Sequence, residues 1–249
     1  MLENQYTNHN FNDTKALTRS KGMFYGTILT TFALTVIVTV ALSFLFFKIA
    51  TVRYYETTQL IVGDLNFILM TAAIGVLTFV VIILMWFMSP RRRILTFISI
   101  PIFILYFSII IGYGLSFGVN KAGFDANVIL AIFFIPGLIL LIAGILGICR
   151  LVHIKTIWLL SGILFAGLII AIIVSVVYAR AYWWIPTIAI ASISVTSIIS
   201  FWNIRTTADN IQFASTSEII SHGIYYGVQM FIFYIQLVRL LMDYFVLDR

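Results

Sequence analysis

Charge is scarce in this chain. Asp, Glu, Lys and Arg make up 10% of its 249 residues against 62% hydrophobic ones, and the mean hydropathy is +1.09. So little polar residue cannot cover the surface of a soluble domain, which excludes the soluble globular class. Cysteine is rarer still. The one thiol, Cys149, rules out an intramolecular disulfide, a cysteine-rich zinc site and a Cys-x-x-Cys redox pair. Acids number 9 against 15 Lys and Arg, a formal charge of +6, but the basic residues lie singly or in short clusters between apolar runs. They mark topology rather than a nucleic-acid-binding face, and no nucleic-acid partner is expected. Enzyme signatures are missing as well: there is no HExxH, no GxSxG elbow, no Walker loop and no pair of intramembrane aspartates. His9, His153 and His222 fall in a polar tail, a loop and a helix, so no two stand as metal ligands on one helix. Neither an enzyme nor a cofactor is expected.

What the chain has is apolar length. Measured against the roughly 20 residues that span a bilayer, seven runs qualify: Met23–Phe47, Leu65–Met88, Ile94–Phe117, Val128–Ile148, Ile157–Tyr178, Trp183–Trp202 and Ile219–Val246. Short connections leave no room for a soluble domain. The expected organisation is a polar tail over residues 1–22, one membrane domain over 23–246 and a short end at 247–249. The polar, Asn-rich start is followed by an apolar run longer than a signal-peptide core and without a cleavage pattern, so it is expected to stay as an anchor. Ser89-Pro90 before Arg91, Arg92 and Arg93 should stop the second segment, and Ser215-x-x-Glu218 reads as a capping box opening the seventh. Aromatic residues such as Trp86, Trp158, Trp184 and Trp202 mark the interfaces. With a cytoplasmic amino terminus, the inner side carries Lys15, Arg19, Lys21, Arg91, Arg92, Arg93, Arg150, Lys155 and Arg205. Only Lys48, Arg53, Lys121, Arg180 and Arg249 are left outside, so the bias favours that orientation in a multi-pass cell-membrane protein. A seventh segment that re-enters instead of spanning would move the carboxyl terminus to the inner side. Abundant Ile and Phe suit an AT-rich bacterial genome.

The seventh segment carries the main functional signal. His222, Gln229, Gln236 and Asp243 recur every seven residues, with Arg239 one turn from the last two. Seven steps return to within about 20° on a helix, so these side chains form one polar stripe. Ionisable and amide groups are costly in hydrocarbon, and the stripe is expected to face protein or a water-filled cavity in a central helix. Arg239 and Asp243, four apart, should form an ion pair. Other features read more plainly. Pro136-Gly137 is a kink or a hinge in the fourth segment, and Asp64 is a cation ligand or a hydrated interfacial acid. Gly162-x-x-x-Ala166-Gly167, Gly144-x-x-Gly147 and the small residues from Ala189 to Ser197 read as close-packing surfaces.

The chain resembles the transmembrane Bax inhibitor motif family, over most of its length. The residues that carry the resemblance are Leu17-x-Arg19 leading to Tyr25-Gly26, Gly112-Tyr113-Gly114-Leu115-Ser116, the stretch Leu160-Ser161-Gly162 to Leu168-Ile169-Ile170-Ala171, and Tyr225 to Leu241. The resemblance implies an all-α, seven-transmembrane-helix bundle with a central polar seventh helix and, as in some bacterial members, a calcium leak. Family members hold two aspartates that share a proton across the closed pore. At the matching positions this chain has Asn203, after Trp202, and Gln229, ten residues before Arg239. Two amides can still hydrogen-bond but do not titrate, so aspartate-based pH gating is expected to be reduced or absent. The expected function is a cation leak with the bilayer and calcium as partners, with candidate pathway residues Asn203, Gln229, His222, Gln236, Arg239, Asp243 and Asp64. A non-conducting membrane scaffold is the alternative. A small-solute transporter, with Pro136-Gly137 as a broken helix, is the third class.

Overall fold

The computed structural model describes residues 3–57, 65–177, 184–211 and 215–247. They form seven α-helices: α1 Glu3–Thr57, α2 Leu65–Phe87, α3 Arg93–Lys121, α4 Ala126–Ile148, α5 Ile154–Val177, α6 Trp184–Asn210 and α7 Thr216–Leu247. Six of them, all but α2, are long and apolar enough among the described residues to cross a membrane, and α2 is apolar from Gly75 to Phe87. The chain is an all-helical, multi-pass membrane protein. Its polar start belongs to α1, which runs without a break from Glu3.

Local chemistry explains the ends. Beyond Phe87 the turn at Ser89-Pro90 closes with the Arg92 amide donating to the Ser89 carbonyl at 2.9 Å, and α3 begins at Arg93. Asp125 caps α4 by accepting from the Val128 amide at 2.9 Å. The capping box of α7 forms as its spacing predicts. Ser215 donates its amide to Glu218 at 3.0 Å, and the Glu218 amide donates to the Ser215 hydroxyl at 3.3 Å. Pro136 is buried inside an unbroken α4, so the broken helix of the transporter reading is not formed there. At 32 residues and about 1.5 Å each, α7 is roughly 48 Å long, which suits a full crossing rather than re-entry.

Small residues set how the helices meet. Gly223 and Gly227 of α7 lie on Thr27 and Thr31 of α1; a Cβ added at either would stand 2.7 Å from the threonine Cβ. Both numbers rise together, so α1 and α7 run parallel. Gly112 of α3 presses on Ser43 and Phe46 of α1, and Ser108 donates to the Thr39 carbonyl at 3.1 Å, again in parallel register. The underlying pattern is a four-residue ladder of hydroxyls on α1: Thr27, Thr31, Thr35, Thr39 and Ser43. Four steps overshoot a turn by about 40°, so the ladder winds from α7 to α3, as in close-packed membrane helices with small-residue seams. Its hydroxyls mostly return to their own helix, as with Thr27 to Met23 at 2.8 Å and Ser43 to Thr39 at 2.7 Å.

The main core lies where α2, α3, α4 and α7 converge, around Phe103, Ile111, Ile132, Phe231 and Ile235. Gly147 of α4 packs on Ile198 and Phe201 of α6, as its sequence pattern predicts. A Cβ at Gly162 or Gly167 of α5 would meet nothing within 4 Å among the described residues, so the close approach expected there is not made by them. That helix is the least buried of the six and leaves Leu159, Ile163 and Ile173 exposed.

Candidate functional site

Helix α7 buries the largest share of its residues among the six spans and packs chiefly against α1, α3, α4 and α6. Its inward face is apolar. Val228, Phe231, Ile235, Val238 and Met242 are buried there, while His222, Gln229 and Gln236 are half-buried and Arg239 and Asp243 are exposed. The polar stripe, expected to be enclosed, is only partly so: α7 turns its opposite face to the core, which leaves His222, Gln229 and Gln236 half-buried and Arg239 and Asp243 exposed. The physical reason is a competition between faces of one helix. Large apolar side chains gain by interlocking with α3 and α4, whereas an amide without a partner loses free energy in the same place. Gln229 and Gln236 have no hydrogen-bond partner in the described residues, and Arg239 and Asp243 do not form the expected ion pair.

The amino-terminal end of the stripe meets α6. Asn203, Thr206, Thr207, Asn210 and Ile211 of α6 and His222 and Tyr226 of α7 line an open pocket of about 340 Å³. Thr207 and Tyr226 hydroxyls bond across it at 2.9 Å. His222 Nδ1 stands 2.9 Å from the Glu218 carbonyl, and since a carbonyl only accepts, Nδ1 donates there. The pocket thus joins two predicted residues, Asn203 and His222. Gln229 is not among its lining, and no hydrogen bond joins it to Asn203 among the described residues. Asp64 lies outside the described residues.

Chemically, the pocket offers hydroxyls, amides, an imidazole and no carboxylate. No group of three or more His, Cys, Asp or Glu stands together among the described residues, so they build no site with the several carboxylates that tight calcium binding uses. Such a lining can pass or briefly hold a polar solute.

A second cluster, on another side of α6, was not among the predicted site residues. Asp209 accepts from Lys21 of α1 at 3.2 Å and from Arg150 of the α4–α5 turn at 3.2 Å, and pairs as an ion with Arg205 at 3.4 Å. Arg150 reaches it from a left-handed backbone, φ 54°, with its guanidinium 5.1 Å over the Trp202 ring. One carboxylate thus ties three elements at the end of the bundle where Lys21 stands. Arg205-x-x-x-Asp209, an i, i+4 pair in a chain poor in acids, was the signal available in the sequence.

The helices and this pocket define a multi-pass helical membrane protein with a polar recess between its last two helices. Comparison of the chain with protein-family models, with curated proteins and with solved structures finds no match.

Proposed function

We propose that the chain is a cation leak protein of the Bax inhibitor type, with calcium as the first ion to test and with the path running between α6 and α7. The observation that carries this reading is the meeting of Asn203 and His222 in one pocket, continued along α7 by Gln229 and Gln236, which have no hydrogen-bond partner among the described residues. Carbonyl and hydroxyl oxygens replace a cation's water, and without carboxylates they hold it weakly. Weak holding suits passage, because an ion must leave as readily as it enters. The two positions where the family has aspartates hold amides here, so gating by a shared carboxylate proton is absent from this path. We place the protein in a bacterial cell membrane with its amino terminus inside, from the gathering of Lys21, Arg91, Arg92, Arg93, Arg150, Lys155 and Arg205 toward one end.

The test is calcium entry into sealed liposomes carrying the purified chain. Entry above that of empty liposomes, reduced by Asn203→Leu and by Tyr226→Trp, supports the path; entry equal to empty liposomes removes it. The exposure of Arg239 and Asp243 favours a second reading, a non-conducting membrane scaffold that uses this face to bind. In that case liposomes stay tight while the same face is protected by whatever covers it.

A further inference from the structure

Along α7 beyond the pocket, at membrane depth, Gln229 and Gln236 are half-buried and Arg239 and Asp243 exposed, and no group among the described residues satisfies the two amides. Lipid tails cannot satisfy them either. The spacing says what geometry would. On a straight helix, a seven-residue repeat drifts by about 60° over the three steps from His222 to Asp243. The same repeat stays in line when two helices wind around each other with a left-handed twist, because that twist removes the drift.

The chemistry of the stripe is self-complementary. Two copies inserted with the same orientation are related by a twofold axis along the membrane normal, which sets α7 beside α7 in parallel and each stripe residue near its own equivalent. A glutamine amide both donates and accepts, so it can pair with an identical one. Arg239 of one copy comes within reach of Asp243 of the other, a turn away along the seam, which satisfies two charges exposed within each chain. We propose that two copies of this chain pair in the membrane through the α7 face bearing Gln229, Gln236, Arg239 and Asp243. The amides fix the register, as single polar residues do in coiled coils. Pairing also closes the side of the α6–α7 path that one chain leaves open. That closure rests on the leak reading, whereas the pairing does not.

The experiment uses the full chain with Cys149→Ser, since the native thiol is exposed. Single cysteines are introduced as Gln229→Cys and Gln236→Cys, with Ile163→Cys on exposed α5 as the control. Oxidation in native membranes is expected to give covalent dimers from the two α7 positions and not from α5. In diluted proteoliposomes, Gln229→Leu with Gln236→Leu should raise the dimer dissociation constant about five- to tenfold while leaving the melting temperature of the single chain unchanged. Asp243→Arg should weaken pairing, and adding Arg239→Asp should restore it. Cross-linking at Gln229 and Gln236 no greater than at Ile163 would overturn the proposal, as would a photo-cross-linker at Gln236 that captures lipid or a different protein. Dimers without calcium entry keep the pairing and remove the leak; calcium entry through a chain shown to be monomeric does the reverse.

Discussion

Gly227 and Gly162 are the same residue in two membrane helices, and only one of them is fixed by its neighbours. A Cβ at Gly227 would lie 2.7 Å from the Thr31 Cβ and 2.9 Å from the Ile28 carbonyl oxygen, both on a helix that cannot retreat without losing its own seam. Gly227→Val should therefore cost about 1–3 kcal/mol, as overpacking does, while Gly162→Val should stay within about 0.5 kcal/mol. Thermal unfolding of the two variants in detergent checks this, and equal losses would contradict the α1–α7 seam. Asp209 gives a second prediction at the same scale. Asp209→Asn leaves Lys21, Arg150 and Arg205 without their shared counter-charge and should destabilise by on the order of 1 kcal/mol, since the group is partly open to solvent. Raising salt should shrink the difference between wild type and variant, because screening weakens the wild-type cluster. A difference that grows with salt would mean that Asp209 acts by something other than charge.

At the scale of the element, α7 shows what the sequence conveys and what it withholds. Its start was legible, because Ser215 and Glu218 need only each other to make the capping box. Ser215→Ala should cost about 1 kcal/mol of helix stability, visible as a lower melting temperature; no change would mean the helix start is held by its packing instead. Its polarity was legible too, but not its direction. A helix with an apolar face and a polar stripe specifies two faces, and which one turns inward depends on what the other helices offer. Here α1 offers threonines to Gly223 and Gly227, and α3 and α4 offer Phe107 and Ile132 to the large apolar side chains. The hydroxyl ladder on α1 was readable as a four-residue repeat, yet Thr27, Thr35 and Ser43 taken singly are ordinary membrane-helix residues that bond to their own backbone. Asp209 shows the limit most plainly. Arg205 lies four residues away, but Lys21 and Arg150 reach the carboxylate only once α1 and the α4–α5 turn are folded around it.

For the whole molecule, the boundaries of seven apolar runs give the helix order because bilayer thickness acts on every segment separately. The segment expected at Leu65–Met88 is helical over Leu65–Phe87, and that expected at Val128–Ile148 over Ala126–Ile148. Assembly is less legible, since no periodicity in α5 says that Gly162 will meet nothing and none in α4 says that Gly147 will meet Phe201. The pocket is an assembly property of this kind: Asn203 and His222 become one site because the carboxyl end of α6 and the amino end of α7 lie together. The central claim is that this site opens a path for cations, and calcium entry into sealed liposomes carrying the purified chain tests it most directly. Our account predicts entry well above empty liposomes and clearly diminished by Asn203→Leu at equal protein content. Liposomes that stay as tight as empty ones, with folded and inserted protein, would contradict it.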